Sequence, residues 1–231
     1  MLSFTYFLLL AMYVIVVGAG LIGSSLIEIA VGEGNEVVVV EKDREVAKDI
    51  DSSFDCLVIN ADATDREALE DAGIEDADAL ITTTERDVVN LVVGLFASEY
   101  DVEHVVSLVH DVKNRDLLED MGITTIENPE KLIAQNLYNS VKLPSVVDFM
   151  KVGGEAEIFD IYVEEGAPVD GKTIRDAASE NLIPEDINIV SVSRDDEVII
   201  PKGDARLSEG DLVTVLSLEK ATEEILNVFK S

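Results

Sequence analysis

Tyr13-Val14-Ile15-Val16-Val17-Gly18-Ala19-Gly20-Leu21-Ile22-Gly23 is the stretch on which the reading of this 231-residue chain turns. Five aromatic or β-branched residues run without a polar break into a G-x-G-x-x-G. A strand with no alternation has no face for water, so it belongs inside a sheet covered on both sides. The residues that follow, Ile22, Leu26, Ile29 and Ala30, recur at helical spacing. Strand, glycine turn and helix therefore succeed one another within about thirty residues, which is the context a phosphate-binding glycine motif requires.

The same alternation continues outward. Apolar runs at Glu36–Val40, Cys56–Asn60, Ala79–Thr83 and His104–Val109 are separated by amphipathic segments, and a sixth unit pairs Asn114–Met121 with Ile123–Ile126. Strands of this kind, alternating with helices, predict an α/β fold: a Rossmann-type, doubly wound parallel sheet. Pro129 opens a further helix with an apolar stripe at Ile133, Leu137 and Val141, and Pro144 ends it. This stripe either packs on the helix's own sheet or joins two protomers.

After about Met150 the pattern shortens. Ala156–Val163, Ile187–Ser193, Val198–Pro201 and Leu212–Leu218 read as strands, with turns at Asp195-Asp196, Lys202-Gly203-Asp204 and Glu209-Gly210-Asp211. Helices near Thr173–Glu180 and Glu219–Phe229 complete a small α+β domain, and Gly153-Gly154 reads as the joint before it. The expected organisation is a hydrophobic extension over 1–11, a dinucleotide-binding domain over 12–145 and a second domain over 150–231. Residues 1–11 lack a basic n-region and a cleavage site. They read as a non-essential extension before Met12, or else as a tail touching a membrane.

Composition removes several classes of function. With 48 acidic and 17 basic residues the net charge is −31, a field that repels nucleic acid. The acids are spread along the chain, as in a surface adapted to high salt. One cysteine excludes an intrachain disulfide, and with only two histidines no Cys/His metal site can be assembled. The acidic turn Asp195-Asp196-Glu197 reads as a solvated loop before it reads as a cation site.

The candidate ligand site follows from the glycine turn. Gly18 permits the bend, Gly20 lets the backbone approach a pyrophosphate, and Gly23 brings helix and sheet together; Ala19, Leu21 and Ile22 complete the loop. The N–H groups at the helix start attract the anion. Glu41 ends the second strand, where an acid accepts hydrogen bonds from the adenosine ribose and repels a 2′-phosphate. Lys42 follows it. Asp62 and Ala63 lie past the third strand, near the adenine edge, with Thr64 or Asp65 as rival helix caps. Thr83, Thr84 and Glu85 lie at the rim after the fourth strand, where helix capping is the other reading.

These residues carry a resemblance. Gly18–Gly23, Glu41, Asn60-Ala61-Asp62-Ala63-Thr64-Asp65, the run Leu69–Ala79, and Asp87 and Asn90 after Thr84 resemble the TrkA family, whose N-terminal domains are regulators of K⁺ conductance, or RCK, domains. Gly171-Lys172-Thr173-Ile174, Ile200-Pro201-Lys202-Gly203-Asp204 and Glu209-Gly210-Asp211-Leu212 resemble the family's C-terminal domain. The resemblance implies a cytoplasmic subunit that binds NAD(H), ATP or ADP. It further implies assembly as dimers or larger rings on a membrane potassium transporter of the TrkH or KtrB type. It also raises a departure, because many members carry a basic residue on the fifth strand, and Val106-Ser107-Leu108-Val109-His110 has none but the histidine.

Two other classes compete. An NAD-dependent oxidoreductase needs a polarising group, and Tyr138 and Lys142 stand in a Tyr-x-x-x-Lys spacing; His104 and His110 read as strand-end residues. The glycine turn of short-chain dehydrogenases is spaced differently, which counts against that pair. A stand-alone nucleotide sensor with no membrane partner is compatible with the same residues.

Overall fold

A run of four core-seeking residues finds apolar neighbours on both sides only at the centre of a sheet. β1 (Tyr13–Val17) sits there, with Val14 to Val17 all buried. The computed structural model describes residues 11–195 and 197–231; the rest of the N-terminal extension, with its membrane-contact reading, and Asp196 of the acidic turn lie outside the described residues. The described residues form two compact units that divide between Leu132 and Ile133.

In the first unit β1 is followed by α1 (Leu21–Gly32), β2 (Glu36–Glu41), α2 (Arg44–Ser53), β3 (Leu57–Asn60), α3 (Arg66–Asp71), β4 (Ala79–Thr82), α4 (Asp87–Glu99), β5 (His104–Leu108), α5 (Arg115–Asp120) and β6 (Thr125–Glu127). The strands lie in the order β3-β2-β1-β4-β5-β6, and every pairing is parallel. Chain order reverses between β1 and β4, which opens a crevice at their carboxyl ends. Val14 and Val16 pack with Ile27 and Ala30 of α1 on one face. Ile15 and Val17 pack with Leu69, Leu80, Val93 and Leu118 on the other. The doubly wound sheet is the one the sequence predicts.

Helix α6 (Pro129–Lys142) spans the boundary between the units, whereas the sequence reading assigns all of it to the first. The second unit holds β7 (Val146–Gly153), β8 (Ala156–Tyr162), α7 (Ile174–Ser179), β9 (Ile187–Arg194), β10 (Glu197–Ile199), β11 (Leu212–Ser217) and α8 (Glu223–Leu226). Its antiparallel sheet has the order β10-β9-β11-β8-β7 and packs around Phe159, Ile161, Val213, Val215 and Phe229.

Three local expectations are corrected, and one strand is added. Gly153-Gly154 is not a joint but the turn of the β7–β8 hairpin, with Gly154 at φ +61°. β7 itself is an edge strand, mostly exposed, so it carries no apolar alternation to betray it. The last helix shrinks from Glu219–Phe229 to the single turn of α8, capped by the Thr222 hydroxyl. Finally, α1 turns Gly23, Ile27 and Ala30 to the sheet and leaves Ile22 and Ile29 exposed. That helix is apolar nearly all round, so periodicity alone does not choose its buried face.

Burial fixes what substitutions do. Ile15→Ala empties a site closed on both sides and costs about 2–5 kcal/mol, whereas Leu57→Ala, on the sheet edge and 58% exposed, costs no more than about 0.5 kcal/mol. The shift in denaturant midpoint, followed by circular dichroism, checks the contrast.

Candidate functional site

The three glycines of the turn do three different jobs. Gly18 stands at φ +90°, and a Cβ there would lie 3.0 Å from the Thr84 methyl group. Gly23 is in contact with the turn itself: its Cβ would stand 2.1 Å from the Gly18 carbonyl oxygen and 2.7 Å from Thr83 Oγ1. Gly20 has nothing within 4 Å and faces open space. This division, one glycine for the bend, one for ligand approach and one for close packing, is that of a dinucleotide-binding turn.

Neighbouring strands hold the turn. The Gly18 N–H donates to the Val40 carbonyl at 3.0 Å, and Thr83 Oγ1 donates to the Gly18 carbonyl at 2.7 Å. Glu41 accepts from the Ala19 N–H and the Asp43 N–H, both at 2.7 Å. The carboxylate ending β2 is thus fastened to the glycine loop.

Around the turn opens a cleft of about 310 Å³ lined by Gly18, Gly20, Glu41, Lys42, Asp62 and Ala63 on one side and Thr83, Thr84, Glu85 and Arg86 on the other. Its floor is apolar, from Val17, Val40, Val46 and Val89. The size is at the lower end of ligand pockets. Lys42 Nζ lies 2.5 Å from Asp62 Oδ2. The Lys42 ammonium, with the Thr64 hydroxyl and N–H, holds the Asp62 carboxyl down at about 2. Asp62 therefore binds the following turn, and neither Thr64 nor Asp65 caps α3 through its side chain. Thr84 is likewise no cap: its hydroxyl donates to Asn90 Oδ1 at 2.7 Å, and the buried Asn90 amide returns a bond to the Thr84 carbonyl at 3.0 Å.

Of the residues singled out from the sequence, nine meet in the cleft: Gly18, Gly20, Glu41, Lys42, Asp62, Ala63, Thr83, Thr84 and Glu85. Four do not line it. Ala19 is buried and offers its N–H to Glu41, Leu21 is 93% exposed, Ile22 points outward, and Gly23 is occupied in packing. Arg86 was missed. It is exposed, makes no ion pair among the described residues, and lines the cleft from the loop after β4. Its place directly after Thr83-Thr84-Glu85 was the available signal, since that loop ends at the strands' carboxyl edge.

The family models for the TrkA-N domain and the TrkA-C domain match residues 14–129 and 158–230. The chain belongs to the TrkA family. A relative from Methanothermobacter thermautotrophicus, a Trk system potassium uptake protein TrkA homolog, is 29% identical over 220 residues, 94% of this chain and 99% of its own. The relative of the same name from Archaeoglobus fulgidus is 29% identical over 94% of this chain, which spans 50% of that protein's length. Among solved structures, the GsuK channel bound to NAD superposes with a TM-score of 0.65 and 18% identity, covering 95% of this chain and 39% of that one. Identity that low shows the shared fold alone. The named relatives are Trk potassium uptake proteins. Tyr138 and Lys142 are exposed on α6, and neither is among the residues that line the cleft.

The glycine geometry separates stability from binding. Gly23→Ala drives a methyl into backbone and destabilises the first unit by about 1–3 kcal/mol. Gly20→Val adds a side chain to open space and costs no more than about 1 kcal/mol, the range for a changed helix cap. Thermal unfolding is expected to fall clearly for the first variant and little for the second.

Proposed function

We propose that this chain is a cytoplasmic regulatory subunit of a potassium uptake system. Its cleft binds NAD(H) or an adenine nucleotide. Gly20, alone of the turn's glycines, faces open space beside the cleft, and that observation carries the reading. The N–H groups of the turn and the start of α1 receive the diphosphate. Glu41 and Asp62 lie on the side where the ribose and adenine belong, and Arg86 lines the same cleft as a cation for the phosphates. The names of the relatives, and the NAD held by the GsuK channel, support the same assignment.

Regulation requires two states that a ligand can tell apart. A nucleotide that binds one arrangement of an oligomer more tightly shifts the population toward it, and a membrane partner of the TrkH or KtrB type then feels the change. Helix α6 supports assembly as a dimer or ring. It buries none of its residues, and Ile133, Leu137 and Val141 along its stripe are 55%, 66% and 82% exposed. An apolar stripe on a chain this acidic is a surface for a second copy. No described helix is long and apolar enough to cross a membrane; in this reading the attachment is through the partner.

Two measurements test this. Calorimetric titration of the chain in molar KCl with NAD⁺, NADH, ATP and ADP is expected to show saturable binding of at least one, abolished by Gly20→Val. Absence of binding by all four overturns the site. Sedimentation velocity is expected to find an oligomer that Leu137→Glu converts to monomer; an unchanged oligomer removes α6 as the contact.

A further inference from the structure

His110 lies just past β5 with a hydrogen-bond acceptor at each ring nitrogen. Nδ1 is 2.5 Å from Glu130 Oε1 in the first turn of α6, and Nε2 is 3.2 Å from the Thr84 carbonyl oxygen. A carboxylate and a carbonyl can only accept. A neutral imidazole has one N–H and satisfies one of them in either tautomer; the imidazolium has two and satisfies both. The arrangement is therefore complete only when the ring is charged.

The surroundings favour that charge. Glu130 faces the ring from α6 and Asp87 from the start of α4, and both are acids. Asp111, next to His110 in the chain, spends its carboxylate on the Lys113 N–H. No cation pairs with the ring among the described residues. Burial pulls the His110 pKa down, but the hydrogen bond and charge of Glu130, the Thr84 carbonyl and Asp87 together raise it above the ordinary 6.5.

The loop bearing His110 is held independently of the ring. Asp87 accepts from the His110 N–H at 2.8 Å, the Asp111 N–H at 2.9 Å and the Asn114 amide at 2.8 Å. What the ring adds is a tie between Thr84, which lines the cleft, and Glu130 of α6. Loss of the proton turns a lone pair against one of the two oxygens and releases that side of the tie.

We propose that His110 is a proton-sensitive positioning residue of the nucleotide cleft: charged, it fastens the Thr84 rim to the first turn of α6, and in that state the cleft holds an anionic nucleotide more tightly. The proposal rests on the reading that the cleft binds an adenine nucleotide. Two effects act in the same direction. The tie keeps the rim in the shape that forms the cleft, and a positive charge one residue from its wall draws a diphosphate into a chain of net charge −31. The tie is fully present below the ordinary histidine pKa and is lost as pH rises through the raised one. By reciprocity, nucleotide binding draws a proton onto His110.

The full chain has two histidines, so their ring signals in NMR are readily assigned with His110→Gln. Without nucleotide, the His110 midpoint is expected above 6.5 and lower in Glu130→Gln; a midpoint at or below that value overturns the tie. Calorimetry then uses NAD, whose diphosphate does not titrate in this range, or ADP if only ADP binds. Wild type is expected to take up protons on binding, read from two buffers of different ionisation enthalpy. Its affinity is expected to weaken several-fold from one pH unit below the midpoint to one above. His110→Gln is expected to show no such uptake and to bind at every pH as weakly as wild type does at high pH. Binding that is independent of pH, or that depends on pH equally in His110→Gln, overturns the proposal and leaves the nucleotide site standing. Absence of binding at every pH overturns both.

Discussion

The close approach of Gly23 to the Gly18 carbonyl sets where α1 begins, and the shape of the cleft depends on it. A side chain at Gly23 would stand 2.1 Å from that oxygen, so only glycine lets the helix start directly against the end of β1. The Thr83 hydroxyl bonds the same carbonyl, which locks the end of β4 to the turn from the other side of the switch point. Glu41, from the end of β2, takes the Ala19 N–H of the turn. One close approach of backbone thus aligns the ends of β1, β2 and β4, and the cleft is the space left above them.

Charge is handled by the same economy of contacts. A chain of net charge −31 is a poor host for a diphosphate unless its local acids are already engaged. Glu41 is held by two backbone N–H groups and Asp62 by Lys42 and the Thr64 turn. Glu85 is the acid of the lining without such a partner among the described residues; the helix start and Arg86 are the groups that meet an anion, with His110 behind Thr84 as a third, proton-dependent source of positive charge. The apolar stripe on α6 is the exception in this acidic coat, with Ile133, Leu137 and Val141 exposed along it.

How much was legible in the sequence follows from which forces are local. The run Tyr13–Val17, the glycine spacing and Glu41 could be read because a strand buried on both faces, a positive φ and a strand-end acid each demand particular residue types at fixed offsets. β7 could not be read, since an exposed edge strand is held by its pairing with β8 and leaves no periodic trace. The buried face of α1 was misread for the opposite reason: with apolar residues on every side, the pattern had several equal solutions and packing against β1 and β2 chose among them.

The sequence by itself determined the parallel α/β sheet, the glycine turn, the family and most of the residues that meet in the cleft, because these depend on neighbours within a few positions along the chain. Only the tertiary structure decided that Leu21 and Ile22 stay out of the cleft, that Arg86 lines it, and that both nitrogens of His110 face acceptors. Each depends on groups from separate elements converging within a few ångströms, and such convergence has no signature in the order of the residues.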